Sequence, residues 1–172
     1  MGFDFAKYNK IILVGSPGSG KSWLSKLIAE ITAYPLYHLD MEFWKPNWVM
    51  ASREYRLARQ QEIISGEKWI IEGNYNETVE LRFANADLII YLDINRLICI
   101  WRGANRMGKK RSDFPDYLDE PKVTIKVFIN ICKSIWNARK TNGKIIMELH
   151  EKYPEKEFLH IKSRGKVKKL LL

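Results

Sequence analysis

Cysteine is scarce in this chain, with 2 in 172 residues. Cys99 and Cys132 cannot build the disulfide framework that small secreted domains depend on, and both fall in expected helices as reduced packing residues. Long apolar runs are missing too; none approaches the length needed to cross a bilayer. The opening Met1-Gly2-Phe3-Asp4-Phe5 lacks the basic-then-apolar layout of a signal peptide, and Ala6 stands where a myristoylation signal wants Ser or Thr. A cytoplasmic protein is expected, with no membrane partner. Repeats, low-complexity tracts and an interdomain linker are also lacking, so residues 1–172 read as a single domain. His38 and His160 lie in apolar strands as core histidines, and His150 reads as a helix-surface residue. No arrangement for nucleophilic or zinc chemistry emerges. An Asn-Lys-x-Asp guanine-reading motif is absent, which weighs against a GTPase.

Acidic charge is in short supply as well, and unevenly. Residues 1–95 hold 10 Lys/Arg against 12 Asp/Glu, whereas residues 96–172 hold 19 against 8. The net charge of +9 therefore sits in the second half. Either an acidic partner is implied, a polyphosphate or a nucleic acid, or the basic surface is simply solvated.

What the chain does have is a complete phosphate-binding loop. Gly15-Ser16-Pro17-Gly18-Ser19-Gly20-Lys21-Ser22 follows an apolar strand, Lys10–Val14, and opens a helix, which is the context the motif requires. Its glycines let backbone N–H groups turn inward around a polyphosphate. The helix N-terminus adds its positive dipole end. Lys21 supplies a full charge to the β and γ oxygens of ATP, and the Ser22 hydroxyl ligates Mg²⁺.

The remaining segments alternate in a βα rhythm. A helix is expected over 21–32, a short strand over 36–39, a proline-broken aromatic loop over 43–48, and a helix over 53–65 capped by Ser52. A strand over 69–72, a helix near 77–84 and a strand between Asp87 and Asp93 follow. Asn95 caps a helix running to about Met107. A long helix is expected from Pro121 to about Thr141, another over 144–152, a fifth strand over 157–161 and a last helix over 164–171. This pattern predicts an α/β fold, a five-stranded parallel sheet with helices on both faces. Ligands in such folds gather at the carboxyl ends of the strands, where Gly15, Asp40, Glu72 and Asp93 all fall.

Phosphoryl transfer needs a phosphate cradle, a held metal and cations on the developing charge. Glu72, at a strand end before Gly73, reads as the acid that holds Mg²⁺, or as a carboxylate bonding a neighbouring turn. Asp40 either orients or deprotonates the attacking hydroxyl, holds substrate or metal, or caps a helix or turn. Arg102 and Arg106 share one helix face and can close over the triphosphate. Arg82 either holds an anionic or polar substrate beside Asn74 or forms a surface salt bridge. Trp44 and Trp48 either stack on a substrate ring, shield the site from water, or serve as packing residues.

The run Gly15–Ser22, then Pro35-Leu-Tyr-His-Leu-Asp40, Phe43-Trp44-Lys45-Pro46-Asn47-Trp48 and Trp69-Ile-Ile-Glu-Gly-Asn-Tyr75 with Arg82, resembles the DNA topology modulation (FlaR-like) proteins. These are bacterial P-loop NTPases similar to adenylate kinase and other nucleotide kinases. The resemblance is dense from 10 to 106 and thinner afterwards. It implies a three-layer α/β/α nucleoside-monophosphate-kinase-like fold, with a substrate-side helical region near 40–66 and a short lid near 107–121. It also implies an ATP loop at Gly15–Ser22, lid arginines at Arg102 and Arg106, and Arg164 near the adenine. Trp23 stands where these loops often have a Thr touching the α-phosphate. The implied activity is ATP-dependent phosphoryl transfer to an unknown acceptor. The alternative is a regulator of DNA topology that uses ATP binding as a switch.

Overall fold

The structure, a computed structural model, describes residues 2–106 and 124–171. In chain order the elements are β1 (Lys10–Gly15), α1 (Lys21–Thr32), β2 (Leu36–His38), α2 (Leu39–Phe43), β3 (Trp44–Lys45), β4 (Val49–Met50), α3 (Arg53–Ile64) and β5 (Trp69–Glu72). They continue with α4 (Asn76–Asn85), β6 (Leu88–Leu92), α5 (Arg96–Arg106), α6 (Ile125–Asn137), α7 (Lys144–Lys152), β7 (Glu157–Ile161) and α8 (Arg164–Leu171).

Five strands form one parallel sheet in the order β2-β5-β1-β6-β7. The period-2 geometry of a strand divides its side chains between two faces. Ile12 and Val14 of β1 join Phe43, Ile63, Val79 and Ile146 on one side of the sheet. Ile11 and Leu13 join Leu24, Ile28, Cys99 and Ile135 on the other. Both faces are thus dry. Continuous apolar runs such as Ile11–Val14 and Leu88–Leu92 belong in such a doubly covered parallel sheet. Each fully buried aliphatic side chain there contributes about 1.5–3 kcal/mol relative to exposure. The α/β three-layer expectation and the five expected strands agree with this architecture.

Several elements differ from the sequence reading. The segment 43–48 is not a plain loop: β3 and β4 pair antiparallel, Trp44 with Met50 and Lys45 with Val49. Pro46 stands between the two strands, where it removes no ladder hydrogen bond. Asp40 does not end a strand; it lies in the first turn of α2. The long helix is described from Ile125, where the Thr124 hydroxyl caps it by accepting a hydrogen bond from the Val127 N–H; its expected start at Pro121 lies outside the described residues. It stops at Asn137, and a wider π turn over Arg139–Gly143 follows. His150 is half-buried, its ring stacked on Phe158 at 4.0 Å. The expected lid, 107–121, lies outside the described residues. Among the described residues no helix is long and apolar enough to cross a membrane.

Candidate active site

Strand β1 delivers the chain to the rim of the sheet at Gly15. Its φ is +143°, and a Cβ there would lie 2.4 Å from the Leu92 carbonyl oxygen. Gly18, at the crest of the loop with φ +76°, is pressed as closely against the Cys99 carbonyl. Only glycine fits either position. Ser19 is buried, and its hydroxyl has no hydrogen-bond partner among the described residues. A buried hydroxyl left open inside a ring of turned backbone suits a ligand rich in acceptor oxygens.

Lys21, the first residue of α1, folds back beneath this loop. Its ammonium donates to the carbonyls of Gly15 at 2.9 Å and Ser16 at 3.1 Å, and stands 3.8 Å from Glu72 Oε1. Ser22 Oγ donates to Glu72 Oε2 at 3.3 Å, and His38 Nδ1 lies 3.0 Å from the same oxygen. Parallel pairing of β2 with β5 sets His38 directly beside Glu72. Burial alone would push the Glu72 carboxyl up. The His38 hydrogen bond, the Lys21 charge and the Ser22 hydroxyl outweigh it and hold the group below its ordinary value of 4.5. A carboxylate whose folded value is depressed stabilises the fold above its unfolded value, and that stabilisation disappears as pH falls through the folded one. The stability difference between wild type and Glu72→Gln should therefore shrink on acidification from pH 7 to about pH 3. Urea titrations at both pH values measure it. A difference that grows in acid would contradict the assignment.

The other side of the rim comes from the β5–α4 turn and from α2. Asn74 Oδ1 accepts a hydrogen bond from the Gly15 N–H at 3.0 Å, tying the turn to the phosphate loop. Tyr75 takes a left-handed conformation, φ 34°, and its hydroxyl donates to Asp40 Oδ1 at 2.9 Å. Burial first, then the neighbouring Asp40 charge, push the Tyr75 phenol up, so it remains a hydrogen-bond donor. Trp44 hydrogen-bonds the same phenol and meets Trp48 edge-on, with ring centroids 5.6 Å apart.

Arg82 is placed away from the cleft. It is 0 % exposed, so it neither reaches a substrate nor forms a surface salt bridge. Its guanidinium donates to Gln60 Oε1 at 3.0 Å, Thr78 Oγ1 at 2.9 Å, the Gly73 carbonyl at 3.2 Å and the Asn74 carbonyl. Burial pushes it down to about 9, which leaves it charged at neutral pH.

On the other flank, α5 brings Arg102 Nη1 to the Gly18 and Ser19 carbonyls at 3.4 and 3.3 Å. The two flanks enclose a two-part cleft. The larger part, about 360 Å³, is bounded by Trp23, Leu92, Trp101, Arg102 and Val167 beside the loop. The second, about 330 Å³, is bounded by Lys21, Ser22, Asp40, Glu72, Asn74 and Tyr75. Arg106 lines both. The backbone of Arg164 opens α8 just past β7. Trp44 lies behind Tyr75 and is not among the residues lining either part.

Three residues of the site escaped the sequence reading. His38 looked like a core histidine, although its place in an edge strand beside the Glu72 strand was a usable signal. Tyr75 was hidden by its left-handed backbone, which favours glycine or asparagine. Trp101 is 65 % exposed on the cleft side of α5, next to an arginine that had been singled out.

No protein-family model matches the sequence, and no curated protein matches it. Solved structures do match. Shikimate kinase from Acinetobacter baumannii, solved in complex with shikimate, superposes with a TM-score of 0.62 at 14 % identity over 97 % of this chain and 93 % of its own. Shikimate kinase from Bacteroides thetaiotaomicron gives a TM-score of 0.54 at 14 % identity over 94 % and 92 %. At such identity the likeness concerns the fold: a P-loop kinase fold of the nucleoside-monophosphate-kinase type.

Proposed function

We propose that this chain is an ATP- and Mg²⁺-dependent phosphotransferase acting on a small hydroxylated acceptor. The observation that carries the reading is the grouping of Lys21, Ser22 and Glu72 beneath a glycine loop, with a second carboxylate, Asp40, across the same cleft. The loop amides and Lys21 hold the β- and γ-phosphates of ATP. Ser22 and Glu72 supply the hard oxygen ligands that suit Mg²⁺, and their spacing of 3.3 Å fits one small cation. Bound there, Mg²⁺ offsets negative charge on the phosphate oxygens. Tyr75 fixes one Asp40 oxygen and leaves the other to orient the acceptor hydroxyl. The hydroxyl oxygen bonds to the γ-phosphorus, the bond to the β–γ bridging oxygen breaks, ADP leaves, and Asp40 receives the hydroxyl proton. Arg102 and Arg106 stand where negative charge accumulates. Asn74 and Arg82 act by holding the turn that carries Tyr75.

Trp23, Trp101 and Val167, one turn past Arg164 on α8, line the half of the cleft suited to the nucleobase. Trp101→Ala should weaken ATP binding about tenfold and leave inorganic tripolyphosphate binding unchanged, as one lost base–indole stack predicts. Indole fluorescence on titration measures both. The activity itself is tested by ADP release from Mg-ATP across a panel of nucleosides, polyols and small metabolites. Stimulated release that disappears in Asp40→Asn supports phosphoryl transfer. ATP binding with no stimulated release across the panel counts against it.

The DNA topology resemblance supports a second reading, in which ATP binding switches a DNA-acting regulator. The basic half, residues 96–172, is the feature that favours it. Duplex binding that falls steeply with salt would support this alternative, and no binding at physiological salt would remove it.

A further inference from the structure

Glu72 is a flexible carboxylate that must hold a fixed place. The terminal torsion of a glutamate is broad, so its oxygens stay put only where neighbours fix them. Three side chains do so. Lys21 Nζ lies 3.8 Å from Oε1, while the Ser22 hydroxyl and His38 Nδ1 meet at Oε2, at 3.3 and 3.0 Å. Lys21 and Ser22 open α1 under the phosphate loop, and both line the polar half of the cleft together with Glu72. His38 comes from a different element. It ends β2, the edge strand, and is paired in register with Glu72, the last residue of β5. Residues at one register in neighbouring strands point to the same face of the sheet, so the imidazole meets the carboxylate side by side. His38 is not among the residues lining the cleft, and its side chain is nearly buried. An ionised carboxylate only accepts, so Nδ1 carries the proton of this bond. In such a closed setting the bond is stronger than it would be in water.

We propose that His38 is the positioning residue of the Mg²⁺ site: its imidazole fixes the Glu72 carboxylate, and through it the Ser22 hydroxyl, in the arrangement that receives the metal. The inference rests on the phosphotransferase reading, in which Ser22 and Glu72 hold Mg²⁺. A hydroxyl whose proton is committed to Glu72 Oε2 keeps its lone pairs for a cation. The line from His38 to Glu72 to Ser22 thus turns a strand pairing into the orientation of two oxygen donors. Mg²⁺ demands near-ideal placement of its ligands, so a contact that fixes them carries weight. Removing an outer contact of this kind lowers metal affinity by about tenfold to a hundredfold. The role asks for one donor at the Nδ1 position. Asparagine places its amide nitrogen close to that position, so His38→Asn keeps the donor. His38→Phe keeps a ring and loses the donor.

The test reads metal binding with no acceptor present, so Asp40 plays no part in it. Mn²⁺, a spectroscopic stand-in for Mg²⁺, is titrated into the whole protein mixed with β,γ-methylene-ATP, and free Mn²⁺ is followed by electron paramagnetic resonance. His38→Phe should weaken Mn²⁺ binding by about tenfold or more, and His38→Asn by no more than about threefold. In a Glu72→Gln background, His38→Phe should add less than about twofold, because the two residues act through one contact. Calorimetry with the metal-free analogue should give nearly unchanged affinity in both His38 variants, which sets a metal effect apart from general damage. Four results overturn the proposal: wild-type Mn²⁺ affinity in His38→Phe, an equal loss in His38→Asn, full additivity with Glu72→Gln, or a loss of metal-free affinity as large as the loss of Mn²⁺. Should His38→Phe not fold, wild type labelled with ¹⁵N-histidine decides. Its His38 Nδ1 should be protonated, and the resonance should move when Mg²⁺ joins the analogue complex; an unprotonated Nδ1 or an unmoved resonance overturns the assignment. Failure of the parent reading shows separately: a wild-type complex that holds Mn²⁺ no more tightly than the free analogue does has no metal site at Ser22 and Glu72.

Discussion

Lys21→Met is expected to weaken Mg-ATP binding by about a hundredfold or more, read by calorimetry. The side chain is one of the few buried cations, and it hangs from the first residue of α1 under the loop. Its two carbonyl contacts hold the ammonium in place without neutralising it, and Glu72 at 3.8 Å is only a partial counterion. A polyphosphate arriving above would meet a preformed charge shielded from water, where electrostatic attraction is several times stronger than in bulk solvent. Methionine keeps the length of the chain but leaves Glu72 without its ammonium neighbour, so a denaturant melt checks that the variant is folded before affinity is read. The affinity loss can then be separated from misfolding. An unchanged ATP affinity in a folded Lys21→Met protein would remove the anchor of every role given to other residues.

Arg82→Ala should destabilise the fold by about 3–5 kcal/mol, the range for breaking up a buried charged network and opening a cavity. For a chain of this size that is a fall in Tm of about 6–20 °C. The reason is local. Gln60, Thr78 and the carbonyls of Gly73 and Asn74 all accept from this one guanidinium; without it the Gln60 oxygen and the two carbonyls lose this donor, while Thr78 keeps its hydrogen bonds to Gln60 and Tyr75. Among the described residues no carboxylate is hydrogen-bonded to Arg82, and its neutral partners are numerous and fixed. Arg82→Lys should recover little of the loss, since an ammonium lacks the planar fork that spans the four acceptors. Denaturant melts of both variants measure this. A lysine variant as stable as wild type would show that charge, and not geometry, matters at this position.

Much of the architecture was legible because local and global signals agree. Ile11–Val14 and Leu88–Leu92 are too uniformly apolar for anything but covered strands, and Ser52, Asn95 and the glycine loop mark helix starts through backbone chemistry that short-range sequence carries. The misreadings cluster where a tertiary contact decides. Trp44-Lys45 pairs with Val49-Met50 despite the proline between them, and the turn at Gly143 is shaped by the Tyr91 hydroxyl above it, where a Cβ would come within 2.6 Å. The phosphate loop was readable as a site because its spacing is itself the mechanism. The partners of Glu72 and Asp40 were not, since His38 and Tyr75 meet them only through strand pairing and an unusual backbone turn. Arg82 shows the same limit from the other side. An arginine on a short helix reads as surface, and only the closed packing of α3 against α4 turns it into an interior brace.

The contact between Gly18 and the Cys99 carbonyl makes the loop and α5 mechanically one piece. A glycine whose α-carbon rests on another helix's backbone has no slack, so lifting that helix drags the crest of the loop along with it. The helix that carries Arg102 and Arg106 thus also sets the curvature of the phosphate cradle. Even a single methyl group at position 18 would act as a wedge, prising the clamp away from its cargo while leaving each charged side chain intact.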